Sequence, residues 1–150
     1  LGAIGTDEAL ALRGKAGIAN ARLAYALFER EFGDVDVAKL PANANAQRPL
    51  WASTGVKNPD YPATMYVTEL AGPQTVNTMP EKTLDAVLRD GGVHGDTLTG
   101  TEAVSRETFA ALRGVGIDLD DVVAVLEREG VEKFVDAWQD LLDSMAAKLA

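Results

Sequence analysis

Within five positions the chain places Ser53, Thr54, Gly55 and Lys57. Two hydroxyls, a backbone amide that no side chain shields and a cation are the donors a phosphate ester requires. Spacing alone does not make the grouping specific, because Ser-Thr-Gly is common in turns and a single Lys is ordinarily a surface charge. Its place in the chain adds weight. The group ends one short apolar run, Pro49 to Ala52, and a second run follows at Thr75 to Met79. Each run stops abruptly in small, polar or turn-forming residues and precedes a segment able to form a helix, the cadence of a βα unit repeated once. In such units ligands lie beyond the carboxyl ends of parallel strands, so Ser53 to Lys57 is where binding is expected first.

The elements that must position this group read as follows. Pro49 to Ser53 is continuous and apolar up to its end, as a strand buried on both faces should be, with Trp51 in the core. Asn58 to Pro62 forms a turn or lid-like loop, Thr64 to Ala71 a short crossover helix, and Thr75 to Thr78 the second strand. Before them, Leu12, Ala16, Ala19, Leu23, Ala26 and Leu27 recur at helical spacing and predict one long amphipathic helix from Thr6 to Phe32. Gly14 and Gly17 each cost such a helix about 1 kcal/mol relative to Ala, so either the helix starts later or a neighbour packs closely there. Lys15, Asn20 and Arg22 read as its solvated face. Residues 33 to 48 read as a connection with an extra helical turn.

After the second strand, Thr78 to Glu81 fits a capping box, predicting a helix from Met79 to about Arg89 with Leu84, Val87 and Leu88 inward and Gly91 and Gly92 ending it. A helix over Glu102 to Arg113 should pack Val104, Phe109 and Leu112. Asp118 should cap another, with Val122, Val123, Val125 and Leu126 inward until Gly130 interrupts. The last, Val131 to Leu149, should bury the stripe Phe134, Trp138, Leu141, Leu142 and Met145. Asp120, Asp121, Glu127, Glu129, Asp136, Asp140 and Asp143 read as solvated.

Several function classes are disfavoured. A net charge of −9, with 23 Asp and Glu against 14 Lys and Arg, opposes binding to a nucleic-acid backbone. The absence of Cys leaves no disulfide framework and no thiolate metal site, and suits a reducing cytoplasm. No apolar run of membrane-spanning length occurs, nor a leader pattern. His94 is the sole histidine and sits in GGVHGD, where an exposed loop side chain is the simpler reading. No metal site is predicted.

The stretch from Arg48 to Ala86, RPLWASTGVKNPDYPATMYVTELAGPQTVNTMPEKTLDA, resembles the carboxyl-terminal part of a transaldolase of the longer-chain type. GTDEALALRGKAGIANARLAY before it and GVEKFVDAWQDLL after it are similar to flanking helices in that family, so the resemblance spans nearly the whole chain. It implies a partial (β/α)8 TIM barrel of the class I aldolase kind, helix-rich, contributing the last two strands. Residues 1 to 150 would be the carboxyl-terminal portion of a single barrel domain. The implied activity is transfer of a dihydroxyacetone unit from sedoheptulose 7-phosphate or fructose 6-phosphate to an aldose phosphate through a lysine Schiff base. The setting would be the pentose phosphate pathway of the cytoplasm, with no metal or organic cofactor.

Residue by residue, Ser53 matches the family's phosphate-contacting serine. Gly55 stands where shorter-chain relatives carry an arginine, and Lys57 is positioned to replace that charge. Thr54 and Gly55 are candidates for the substrate loop. No catalytic residue carries over, because the family's Schiff-base lysine belongs to an earlier strand, and none of the six lysines here sits in an apolar strand where desolvation would activate it. The 150-residue chain alone is therefore expected to be inactive and to recruit its missing barrel half or self-associate, since two strands cannot close a barrel. Two alternatives stand beside this reading. One is a non-catalytic helical module that binds a phosphate ester or a protein. The other is part of a transaldolase fused to a sugar-phosphate isomerase.

Overall fold

The structure, a computed structural model, describes residues 1–33, 39–41 and 43–149, so most of the connection expected between 33 and 48 lies outside the described residues. The chain is helix-rich, with six helices and two parallel strands among the described residues. It divides into two compact units, Leu1–Leu112 and Arg113–Ala150.

In the first unit, α1 (Asp7–Leu10) and α2 (Lys15–Phe32) replace the single long helix expected from Thr6 to Phe32. Helix α1 closes at Ala11, and Gly14 takes φ +78°, a left-handed conformation, as the N-cap from which α2 starts. Thr6 caps α1, its hydroxyl accepting from the Ala9 amide at 3.3 Å. The inward face of α2 matches the expected one in part, with Ala19 buried as its spacing predicts, but aromatic residues make up most of it. Tyr25 and Phe28 are buried, with Ile18, Ala21 and Phe32 packed beside them, whereas Ala16 and Leu27 are exposed. The aromatic side chains supply more apolar area than the alanines and decide which face turns in. Arg22 is not on a solvated face: it is half-buried and donates to the Glu69 carboxylate at 2.9 Å.

Strand β1 (Leu50–Trp51) pairs in parallel with β2 (Val76–Asn77), Leu50 opposite Val76 and Trp51 opposite Asn77. The Val76 amide donates to the Pro49 carbonyl and the Thr78 amide to the Trp51 carbonyl, both at 2.9 Å. Helix α3 (Met65–Thr68) makes the crossover. Trp51 packs onto the core cluster of Tyr25, Phe28, Leu70 and Leu98, and its indole N–H donates to the Leu70 carbonyl at 3.0 Å. Burial on both faces of β1 does not occur, because Leu50 is 54% exposed where a two-stranded sheet supplies no second layer.

Helix α4 (Glu81–Asp90) starts at Pro80 without a side-chain cap. The expected capping box is absent, since the Thr78 hydroxyl points back to the Trp51 carbonyl at 3.4 Å. Its buried residues are Thr83 and Ala86, whereas Leu84 and Leu88 are exposed; Thr83 lies against the Gly55 backbone that follows β1. Gly91 and Gly92, both at positive φ, end it. Helix α5 (Glu102–Gly114) buries Ser105 and Leu112, while Val104 is exposed.

In the second unit, Asp118 caps α6 (Leu119–Leu149), its carboxylate accepting from the Asp120 and Asp121 amides at 3.0 and 3.1 Å. Gly130 does not interrupt this helix, which is continuous for 31 residues. None of its side chains is buried, so the expected burial of Phe134, Trp138, Leu141, Leu142 and Met145 is not met. No helix among the described residues is long and apolar enough to cross a membrane.

Candidate functional site

The backbone turns sharply where β1 ends. Ser53 takes φ +56°, a left-handed conformation that costs a residue with a Cβ roughly 1–2 kcal/mol. Its side chain is exposed, and the next residue, Thr54, is 3% exposed. The Thr54 hydroxyl lies 3.0 Å from both the Asn77 Oδ1 and the Thr78 carbonyl. It thereby ties the end of β1 to the end of β2 and is committed inside the protein. The Asn77 Nδ2 is buried with no partner among the described residues, so this bond carries much of that side chain's hydrogen bonding.

Gly55 is closely approached by its neighbours. A Cβ there would come within 3.3 Å of Pro80 Cγ and 3.6 Å of Thr83 Oγ1, so the first turn of α4 rests directly on the Gly55 backbone. Lys57 is exposed two residues further on.

The segment Ser53–Lys57 forms a wall shared by two clefts. One, of about 620 Å³, opens toward α2 and is lined by Asn20, Trp51, Asn58, Tyr61 and Tyr66 among others. The other, of about 390 Å³, opens toward α4 and is lined by Ala63, Pro80, Lys82 and Thr83 together with Ser53, Gly55, Val56 and Lys57. Among the described residues no carboxylate lines either cleft. Among the described residues neither Lys57 nor Lys82 forms an ion pair. In a chain of net charge −9, two cations thus line one cleft at a strand end with no ion-pair partner among the described residues.

The four residues singled out from the sequence are therefore adjacent but differ in what they offer. Ser53 and Lys57 present side chains to the clefts, Gly55 presents backbone, and Thr54 serves the sheet. Lys82 escaped sequence reasoning. Its signal was a lysine in the first turn of a helix, where the macrodipole disfavours a cation. Tyr61 and Asn20 were also missed, since only long-range folding brings them to the cleft.

Elsewhere the chemistry is structural. His94 is exposed in its loop. Asp96 accepts from the Leu98 and Thr99 amides at 2.9 and 3.0 Å, and hydrogen bonds from Thr99 and Leu98 hold its carboxyl below the ordinary value. Burial pushes the Tyr25 phenol above its ordinary value, and that group donates to the Pro73 carbonyl at 3.2 Å. No group of three or more metal-ligating side chains is present among the described residues. None of the six lysines lies in β1 or β2.

A family model described as Transaldolase/Fructose-6-phosphate aldolase matches residues 3–145. The transaldolase of Mycolicibacterium smegmatis is 64% identical over 147 residues, covering 97% of this chain and 40% of that protein. Those of Mycobacterium ulcerans and Mycobacterium leprae are 60% and 55% identical over 148 residues, with the same coverage. The chain thus spans 40% of the length of these relatives.

Proposed function

Since the chain belongs to the transaldolase/fructose-6-phosphate aldolase family, we propose that it supplies the phosphate-recognising strand ends of a transaldolase. The observation that carries this reading is that Lys57, Lys82 and the exposed Ser53 line one cleft, with no carboxylate among the described residues that line it. Ser53 donates to a phosphate oxygen of the ketose phosphate, Lys57 supplies the charge that an arginine supplies in shorter-chain relatives, and Lys82 adds positive potential from α4. The resident role of Gly55 is backbone approach. Thr54 acts indirectly, by fixing the turn. The strand pair β1–β2 belongs to a (β/α)8 barrel as its last two strands, residues 1 to 150 forming the carboxyl-terminal portion of that one domain.

The reaction is transfer of a dihydroxyacetone unit from fructose 6-phosphate or sedoheptulose 7-phosphate to an aldose phosphate, in the cytoplasmic pentose phosphate pathway. The Schiff-base lysine comes from a strand outside this chain. The isolated chain therefore binds phosphate without turning over sugar, and its two-stranded sheet pairs with the rest of the barrel or with another copy.

A chimera tests this. Replacing the matching 147 residues of the M. smegmatis transaldolase with this chain should leave transaldol transfer intact. In that chimera Lys57→Ala should raise KM for fructose 6-phosphate by about tenfold, as loss of a charge-assisted hydrogen bond predicts, with kcat changed less. A folded but inactive chimera, or an unaltered KM, contradicts the reading.

A further inference from the structure

The loop that carries Lys57 is held at both ends. At its start the Gly55 backbone rests on Pro80 and Thr83. At its far end the ring of Tyr61 lies over Gly14, so closely that a Cβ on Gly14 would come within 3.2 Å of Tyr61 Cζ. Gly14 is doubly constrained, because it also takes φ +78° at the start of α2. Between these anchors Asn58 closes a turn. Its carboxamide oxygen accepts from the Asp60 amide at 3.0 Å and its carbonyl from the Tyr61 amide at 3.2 Å. Only Val56 and Lys57 separate the first anchor from this turn.

We propose that Tyr61, seated on the bare face of Gly14, is a positioning residue that fixes the loop so that Lys57 stands over the end of β1. The inference rests on the phosphate reading above and adds what sets that site's affinity. A lysine on a loose loop gives up conformational freedom when it binds an anion, whereas one on a loop already fastened at both ends gives up less. The fastening is made in tertiary structure, by a tyrosine and a glycine 47 residues apart in the sequence.

The test is a double-mutant cycle on the 150-residue chain, with inorganic phosphate as the probe and its Kd measured by titration. Lys57→Ala should weaken phosphate binding. Tyr61→Ala and Gly14→Ala should each weaken it about threefold or more, and Tyr61→Phe, which keeps the ring, should restore the affinity. In the Lys57→Ala background Tyr61→Ala should then have no further effect, because Tyr61 acts only through Lys57. An effect of equal size in both backgrounds would make Tyr61 a direct contact or a general stabiliser and overturn the inference. So would an unchanged Kd for Tyr61→Ala. An unchanged Kd for Lys57→Ala would instead remove the phosphate reading, and the inference with it. Far-UV circular dichroism of each variant separates loss of binding from loss of fold.

Discussion

The strand ends around Ser53 and the long helix α6 are opposite cases. Along α6 the sequence carries an apolar stripe at helical spacing, Phe134, Trp138, Leu141, Leu142 and Met145, yet Phe134 is 82% and Trp138 61% exposed. Around Ser53 the pattern is weak, two runs of a few residues, yet Thr54 is 3% exposed and a Cβ on Gly55 would press on Pro80 at 3.3 Å. Periodicity states that a face is suited to be covered. Whether it is covered depends on elements far away in the chain. The strand ends find their partners within residues 50–83, while the α6 stripe finds none in the described residues.

The widest contrast should appear in stability. Leu98, 1% exposed in the core cluster, should cost about 2–5 kcal/mol when truncated to Ala, by lost burial and the cavity left behind. Phe134→Ala on α6 should move stability by no more than about 0.5 kcal/mol. Denaturant midpoints of the two variants measure this. Equal losses would show that the α6 stripe is buried in solution and would erase the contrast.

A smaller effect should come from Thr54→Val, which keeps the shape of the side chain and removes its hydroxyl. The buried Asn77 amide and the Thr78 carbonyl then lose their shared donor, at a cost of about 1–3 kcal/mol. The same chemical change at Thr108, an exposed hydroxyl bonded only within its own helix, should be near neutral.

Ser53→Gly sharpens the comparison differently, because at φ +56° glycine relieves backbone strain. Stability should rise by up to about 1 kcal/mol while phosphate affinity falls, the trade expected where strain serves a binding group. A gain in both would make the serine dispensable.

The smallest effect concerns acid. The Asp96 carboxyl is held below its ordinary value by hydrogen bonds from Thr99 and Leu98. Its stabilising contribution is therefore full above the unfolded carboxylate range and is lost as pH falls through the lowered value. Asp96→Asn should flatten this part of the acid limb in a pH series of unfolding midpoints. An unchanged limb would show that the turn before Leu98 does not depend on the charge.

Much of the local scheme was legible in the sequence. Two short apolar runs marked the two strands, Gly91 and Gly92 marked the end of α4, Asp118 marked the start of α6, and Trp51 belonged to the core. The position of Ser53 and Lys57 beside a cleft at the end of β1 was legible because they are contiguous with that strand. What failed was the choice of face. Leu84 and Leu88 look inward by hydrophobicity, but the residues that turn in are Thr83 and Ala86, of which Thr83 lies against Gly55. The later start of the long helix was visible as a propensity cost at Gly14, but the ring of Tyr61 that lies over Gly14 is a contact across 47 residues and was not. Lys82 became part of the site in the same way, through folding at a distance.

The account turns on where an anion binds. Titrating the isotopically labelled 150-residue chain with inorganic phosphate, and following the backbone amide resonances, tests it most directly. The predicted result is saturable shifts clustered at Ser53–Lys57 and at Lys82, abolished by Lys57→Ala, with α6 unmoved. Shifts that scatter over the surface, or that centre away from the end of β1, would contradict it.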